Sequence, residues 1–185
     1  MKSRDCMTTR RARFGAGLAA LLAGAAALGA SADARTMKRM SLEELVDASD
    51  AVVLATAGGM STQTVDGGVV TFTEFTVDGA AFGAAGGTIV VETPGGAIQG
   101  ALIPVAEVES GVPMFFEGRQ SLLFLDGAPN GDFTLVDPLQ GAAEIEAGSE
   151  GANVRLADGA RMAPGQALQA IAEIKARGRA KRLAD

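Results

Sequence analysis

The chain has 185 residues, with 22 acids against 16 bases, a formal charge of −6, a single cysteine, and no His, Trp or Tyr. Without histidine neither a Ser-His-Asp nor a Cys-His nucleophile can be assembled, and zinc sites built on His are excluded. The acidic balance argues against a nucleic-acid partner, because phosphate binding needs clustered cations.

The N-terminus sets Lys2, Arg4, Arg10, Arg11 and Arg13 against one acid, Asp5, and then runs uncharged over residues 14–30. That is the pattern of a secretory leader, and the small residues Ala30-Ser31-Ala32-Asp33-Ala34 suit cleavage after Ala32 or Ala34. The run is built of Ala and Gly and falls short of the roughly 20 strongly apolar residues of a bilayer span. Thr9-Arg10-Arg11-Ala12-Arg13-Phe14 resembles a twin-arginine signal, with its aromatic residue three rather than two places after the Arg pair, so both export routes stay open. Cys6 precedes the apolar run and cannot become a lipid-bearing first residue.

Removing residues 1–32 leaves 153, with 21 acids, 11 bases and a formal charge of −10. That is one domain's worth of chain, and it has no thiol and no membrane span. The expected division is a leader over 1–32, a polar lead-in over 33–40, a β-barrel-like domain over 41–160, and a C-terminal helix with a basic tail over 161–185.

Ser41-Leu42-Glu43-Glu44 reads as a capping box opening a short helix, which carries Leu42, Leu45 and Val46 on one face and ends near residues 48–50. An apolar β-type run follows at 51–55. Further runs rich in Val, Thr, Phe, Ile or Leu lie at 69–77, 88–93, 101–108, 112–116, 120–125 and 132–136. They alternate with turn signals at Asp66-Gly67-Gly68, Asp78-Gly79, Pro94-Gly95-Gly96, Asn130-Gly131 and Asp158-Gly159. Short strands at this spacing predict a sandwich or a small barrel. Val70 and Phe72 share one face of their strand and Phe75 and Val77 the other, so a bulge near Thr73-Glu74 is expected to restore the register. Pro164 opens a helix running to about Arg182, with Ala167, Leu168, Ile171 and Ile174 on one stripe, cations crowding its end, and Gly178 expected to fray it. The expected core comprises Leu45, Val53, Phe72, Phe75, Ile89, Val91, Phe124, Leu135 and Ile171.

Several groups invite a chemical reading. The loop 126–132 places Asp126, Asn130 and Asp132 among glycines, but Ala128 stands where a calcium ligand is wanted, and a hairpin turn needs the same residues. Glu107 and Glu109, like Glu144 and Glu146, have the spacing of carboxylate pairs for acid-base work and equally that of a solvated strand face. The glycines between 83 and 100 lack the cation a phosphate cradle requires, since no base lies between Arg39 and Arg119.

Ser41-Leu42-Glu43-Glu44-Leu45-Val46, Ser49-Asp50-Ala51-Val52-Val53, Thr93-Pro94-Gly95-Gly96 and the stretch from Pro113-Met114-Phe115-Phe116-Glu117-Gly118 to Leu122-Leu123-Phe124-Leu125 resemble a group of uncharacterised exported bacterial proteins. The resemblance spans about 41–146. Those proteins are similar in outline to netrin-like and tissue-inhibitor-like domains, which implies a small OB-like antiparallel barrel, closed or partly open, with a short N-terminal helix and an amphipathic C-terminal helix. The metalloprotease inhibitors of that type act through an N-terminal cysteine, which the chain lacks after residue 32.

The reading that follows is a mainly β, non-catalytic, exported binding module of the periplasm or cell exterior. It uses no metal or cofactor, and its partner is expected to be another exported protein. The expected interaction surface joins Pro94, Gly95 and Gly96 to Phe116, Glu117 and Arg119, Arg119 being the only base between Arg39 and Arg155. A carboxylate-dependent hydrolase and a structural or assembly component of the envelope are the alternatives.

Overall fold

The capping box forms as read: in the computed structural model the Glu44 N–H donates to Ser41 Oγ at 3.2 Å and the Ser41 N–H to Glu44 Oε2 at 2.8 Å. Helix α1, Leu42–Ala48, buries Leu42, Leu45 and Val46 and stops at Ser49, whose hydroxyl donates back to the Leu45 carbonyl at 2.6 Å. The structure describes residues 39–83, 87–98, 105–107, 110–127, 132–148 and 151–184. The leader, most of the lead-in, the Asn130-Gly131 turn and most of the run at 101–108 lie outside the described residues.

Among the described residues ten strands follow: β1 Ala51–Val65, β2 Gly68–Phe82, β3 Gly87–Pro94, β4 Gly96–Ile98, β5 Val105–Glu107, β6 Gln120–Gly127, β7 Phe133–Leu135, β8 Ala142–Gly148, β9 Gly151–Arg155 and β10 Arg161–Met162. Helix α2, Pro164–Ala184, ends the described chain. Among the described residues the fold is mainly β, with one short and one long helix. β1 pairs with β2, β2 with β3, β3 with β7, β7 with β6, and β6 with β1, so five strands form a barrel-like ring of pairings. β3 and β7 run parallel, which makes the sheet mixed rather than wholly antiparallel, and they share only two residue pairs, the narrowest seam. β8, β9 and β10 extend the sheet from β6, and β4 and β5 form a separate hairpin.

Alternation along the strands creates two cores. Ala51, Val53, Ala55 and Ala57 of β1 point into the ring with Phe75, Ile89, Val91, Leu123, Leu125 and Leu135. Val52, Leu122 and Phe124 point outward and are covered by Leu45 and Val46 of α1, Val154 of β9, and Ala167 and Ile171 of α2. β6 is therefore buried on both faces, which is why Leu122-Leu123-Phe124-Leu125 reads as one continuous apolar run. Complete burial of each of these four stabilises the fold by roughly 1.5–3 kcal/mol.

Five expectations need correction. Asp78-Gly79 is not a turn: it lies inside β2, where Asp78 is an extra residue between the partners Leu54↔Gly79 and Ala55↔Val77. Its carboxylate accepts hydrogen bonds from Thr56 Oγ1 at 2.7 Å and Gln120 Nε2 at 2.8 Å, giving a bulged acid the partners it needs. The bulge expected within β2 at Thr73-Glu74 sits across the ladder, where Gly58 and Gly59 of β1 oppose Glu74 while β2 keeps an unbroken register with β3. Thr73 consequently takes the inward position, and Phe72 is only half-buried rather than part of the core. Thr73 Oγ1 is buried without a hydrogen-bond partner. Residues 112–116 form an irregular segment rather than a strand, entered through Gly111 at φ +89° and followed by Pro113, which has no N–H to give a ladder. Finally, α2 passes through Gly178, because a side chain there would press on Asp47 Oδ1 at 3.1 Å: the glycine permits close approach rather than fraying.

Ile171 is fully buried, so α2 is docked on the sheet. Lys175 completes the junction. No base lies in the last turn of α1, and the Lys175 Nζ donates to the Val46 and Ser49 carbonyls at 2.9 and 2.8 Å while lying 4.5 Å from the centre of the Phe82 ring. Burial lowers its pKa below the ordinary 10.5, against the opposing pull of Asp47.

Candidate functional site

The segment between β5 and β6 combines an anchored residue with exposed neighbours. Phe115 is buried in the ring and packs edge-to-face with Phe75, the ring centres 4.9 Å apart and the planes at 87°. Gly118 N–H donates to the Ala57 carbonyl at 2.8 Å and Ala57 N–H to the Arg119 carbonyl at 2.9 Å, which fastens the segment along β1. A further bond, Arg119 N–H to the Phe116 carbonyl at 2.9 Å, tightens its end, helped by Gly118 at φ +77°. With Phe115 turned inward, Met114 and Phe116 must turn outward, and they are 79% and 57% exposed. They are among the few large apolar side chains that the described surface exposes to this degree.

These two residues, with Pro113, Arg119, Ala142 and Glu144, line a hollow of about 260 Å3. At its rim Arg119 and Glu144 approach to 3.8 Å, both well exposed. Such a pair contributes little to stability, about 0–1 kcal/mol, and leaves both charges available to a ligand. The surface thus offers apolar side chains beside one cation and one anion, a composition suited to protein contact.

Pro94-Gly95-Gly96 makes the sharp turn into β4, with Gly95 at φ +85° and Gly96 at φ +134°. A side chain at Gly96 would collide with Thr71 Oγ1 and Thr62, while Gly95 is held through its N–H to the Val69 carbonyl at 2.7 Å and through its carbonyl, which accepts from Thr71 Oγ1 at 2.8 Å. Pro94 lines a different hollow, of about 200 Å3, with Val70, Glu92, Thr134, Leu135 and Pro138. The six residues expected on one surface are therefore distributed: Phe116 and Arg119 belong to the first hollow, Pro94 to the second, and Glu117 is exposed outside both linings. Met114 was not among them, although the alternation Met114-Phe115-Phe116 around one buried residue is a readable signal once Phe115 is known to be inward.

The candidate carboxylates have structural partners. Glu107 Oε2 accepts from the Val69 N–H at 2.9 Å, Glu144 pairs with Arg119, and Glu146 pairs with Arg161 at 3.9 Å. Glu109 and residues 128–131 of the calcium-like loop lie outside the described residues. Among the described residues no cluster of three or more carboxylates is placed to hold a metal ion, and no helix is long and apolar enough to cross a membrane.

Ring, outer helices and hollow together define a mainly β, barrel-like domain with exposed apolar side chains at Met114 and Phe116. No family model and no curated protein matches the chain.

Proposed function

We propose that the chain is a non-catalytic, exported module that binds another exported protein through the hollow beside Met114 and Phe116. The observation that carries this reading is the exposure of those two side chains on a segment pinned by Phe115, an arrangement that holds apolar surface in water at a cost folding alone does not require. The engagement of the Glu107 carboxylate by the Val69 N–H supports a structural role for that member of the Glu107–Glu109 pair over acid-base catalysis. The ring of five strands supports kinship with OB-type, netrin-like domains, and the charge pattern before residue 32 supports export.

The test is direct. A partner retained from the exporting cell's envelope fraction should bind the native chain and be lost from a Met114→Ser, Phe116→Ser variant whose melting temperature is unchanged. Retention of the partner by that variant, or the absence of any reproducible partner, would overturn the reading.

A further inference from the structure

The chain separates its charges along its length. Of the 11 bases from Asp33 onward, five stand within eight residues, at Lys175, Arg177, Arg179, Lys181 and Arg182, with no acid between Glu173 and Asp185. Residues 33–174 hold 20 acids and six bases, a formal charge of −14. The fold uses two of the five cations: Lys175 donates to the Val46 and Ser49 carbonyls, and Arg182 Nη2 lies 3.4 Å from Asp47 Oδ1. Arg177, Arg179 and Lys181 are exposed, and no ion pair holds them among the described residues.

Folding alone does not call for them. The helix dipole favours cations in the last turn, where Lys181 and Arg182 already stand, and its pull fades before Arg177 and Arg179. Lys175 with Arg179 and Arg177 with Lys181 are like charges at i, i+4, which weaken a helix. The same end carries Leu183, 89% exposed. Counted at about 100° per residue, Leu183, Ala180 and Ala176 share an outward strip, all three exposed, with Arg179 on one flank and Arg177 and Lys181 on the other. The opposite side holds Gly178, against Asp47, and the buried Ile171.

We propose that this end of α2 lies along the anionic headgroup surface of a lipid bilayer, without spanning it, with Leu183 sunk between headgroups and the cations reaching phosphates on both flanks. Shape selects lipid over an acidic protein. A convex helix end with cations on two flanks needs a surface that closes around it, as mobile headgroups do and as a folded partner does only through an acidic groove. A second copy offers none among the described residues, since each of the two hollows carries a single acid, Glu144 or Glu92. Screening reconciles the contact with the excess of acids elsewhere. Charges farther from the bilayer than about 8 Å act on it only weakly at physiological salt, so the tip adheres while the acidic remainder is kept off. The contact uses none of the residues lining the hollow at Met114.

The test places a single indole on the strip. The chain has no Trp or Tyr, so in Leu183→Trp the emission reports residue 183 alone. With the purified full chain, vesicles of phosphatidylcholine and phosphatidylglycerol should shift that emission to shorter wavelength, added salt should reverse the shift, and phosphatidylcholine alone should give none. Adding Arg177→Gln, Arg179→Gln and Lys181→Gln should weaken binding roughly a hundredfold, on the order of fivefold per cation, with an unchanged melting temperature. Vesicles bound through residues 1–32 leave residue 183 in water, so binding without a shift overturns the proposal. A shift that needs no vesicles and grows with protein concentration, marking a second copy, overturns it too. So does a shift with polyglutamate but not with vesicles, marking an acidic protein, or equal binding by the triple variant.

Discussion

The inner and outer cores are made of different side chains for a geometric reason. Inside the ring, β1 contributes Ala51, Val53, Ala55 and Ala57, small residues that leave room for Phe75 and for Phe115, which enters from an irregular segment. Outside, the same strand offers Val52 to a layer of Leu45, Leu122, Phe124 and Ile171. A narrow barrel interior needs small residues on some walls to admit large ones from others, whereas the outer layer gains from every added methylene until α1 and α2 are seated. The inner core is closed by backbone pairing around it; the outer core is closed by side-chain packing of α1, β9 and α2 against the sheet.

Substitutions in each core test that distinction. Ile171→Asp has the largest expected effect, a loss of more than about 4 kcal/mol, because it buries an unpaired carboxylate where α2 meets the sheet. Chemical denaturation measures the loss, and an unchanged midpoint would show the helix to be dispensable. Phe115→Ala should cost about 3–4 kcal/mol through the cavity it leaves against Phe75. Hydrogen exchange should then rise in β1 and β6 near the Gly118 bonds while α2 stays protected. Equal loosening of α2 would mean that the two cores are not separable.

Lys175→Met has the smallest effect, about 1–3 kcal/mol near neutral pH, since the Val46 and Ser49 carbonyls lose their donor while the aliphatic packing remains. The sign of its pH dependence is fixed by the lowered pKa. Between the folded value and 10.5 the unfolded chain binds the additional proton, so this lysine makes stability rise with pH over that window. Urea titrations at increasing alkalinity should show a widening gap between native chain and variant; a constant gap would contradict it.

Where one local cause dominates, the sequence was sufficient. Ser41 with Glu44 marked α1, Asp66-Gly67 marked the β1–β2 turn, and the apolar run at 120–125 marked β6, of which only Phe124 was expected in the core. Where a residue answers to partners distant in the chain, local signals misled. Asp78-Gly79 has the composition of a turn, but Thr56 and Gln120 satisfy Asp78 within the sheet. Phe72 outranks Thr73 in hydrophobicity, and an unbroken register with β3 nevertheless turns Thr73 inward. The candidate surface was half legible: Phe116 and Arg119 share a hollow, but nothing in their spacing reveals that Pro94 lines another.

The bonds from Lys175 reach carbonyls 129 and 126 residues earlier in the chain. The hairpin of β1 and β2 joins near neighbours and can form as soon as both strands exist, yet the last turn of α1 waits for nearly the whole polypeptide before its carbonyls are satisfied. In a chain delivered N-terminus first, the outward faces of β1 and β6 therefore lack the cover of α2 until residues 164–184 arrive. Until then, the part of that apolar surface which α2 covers is open to aggregation.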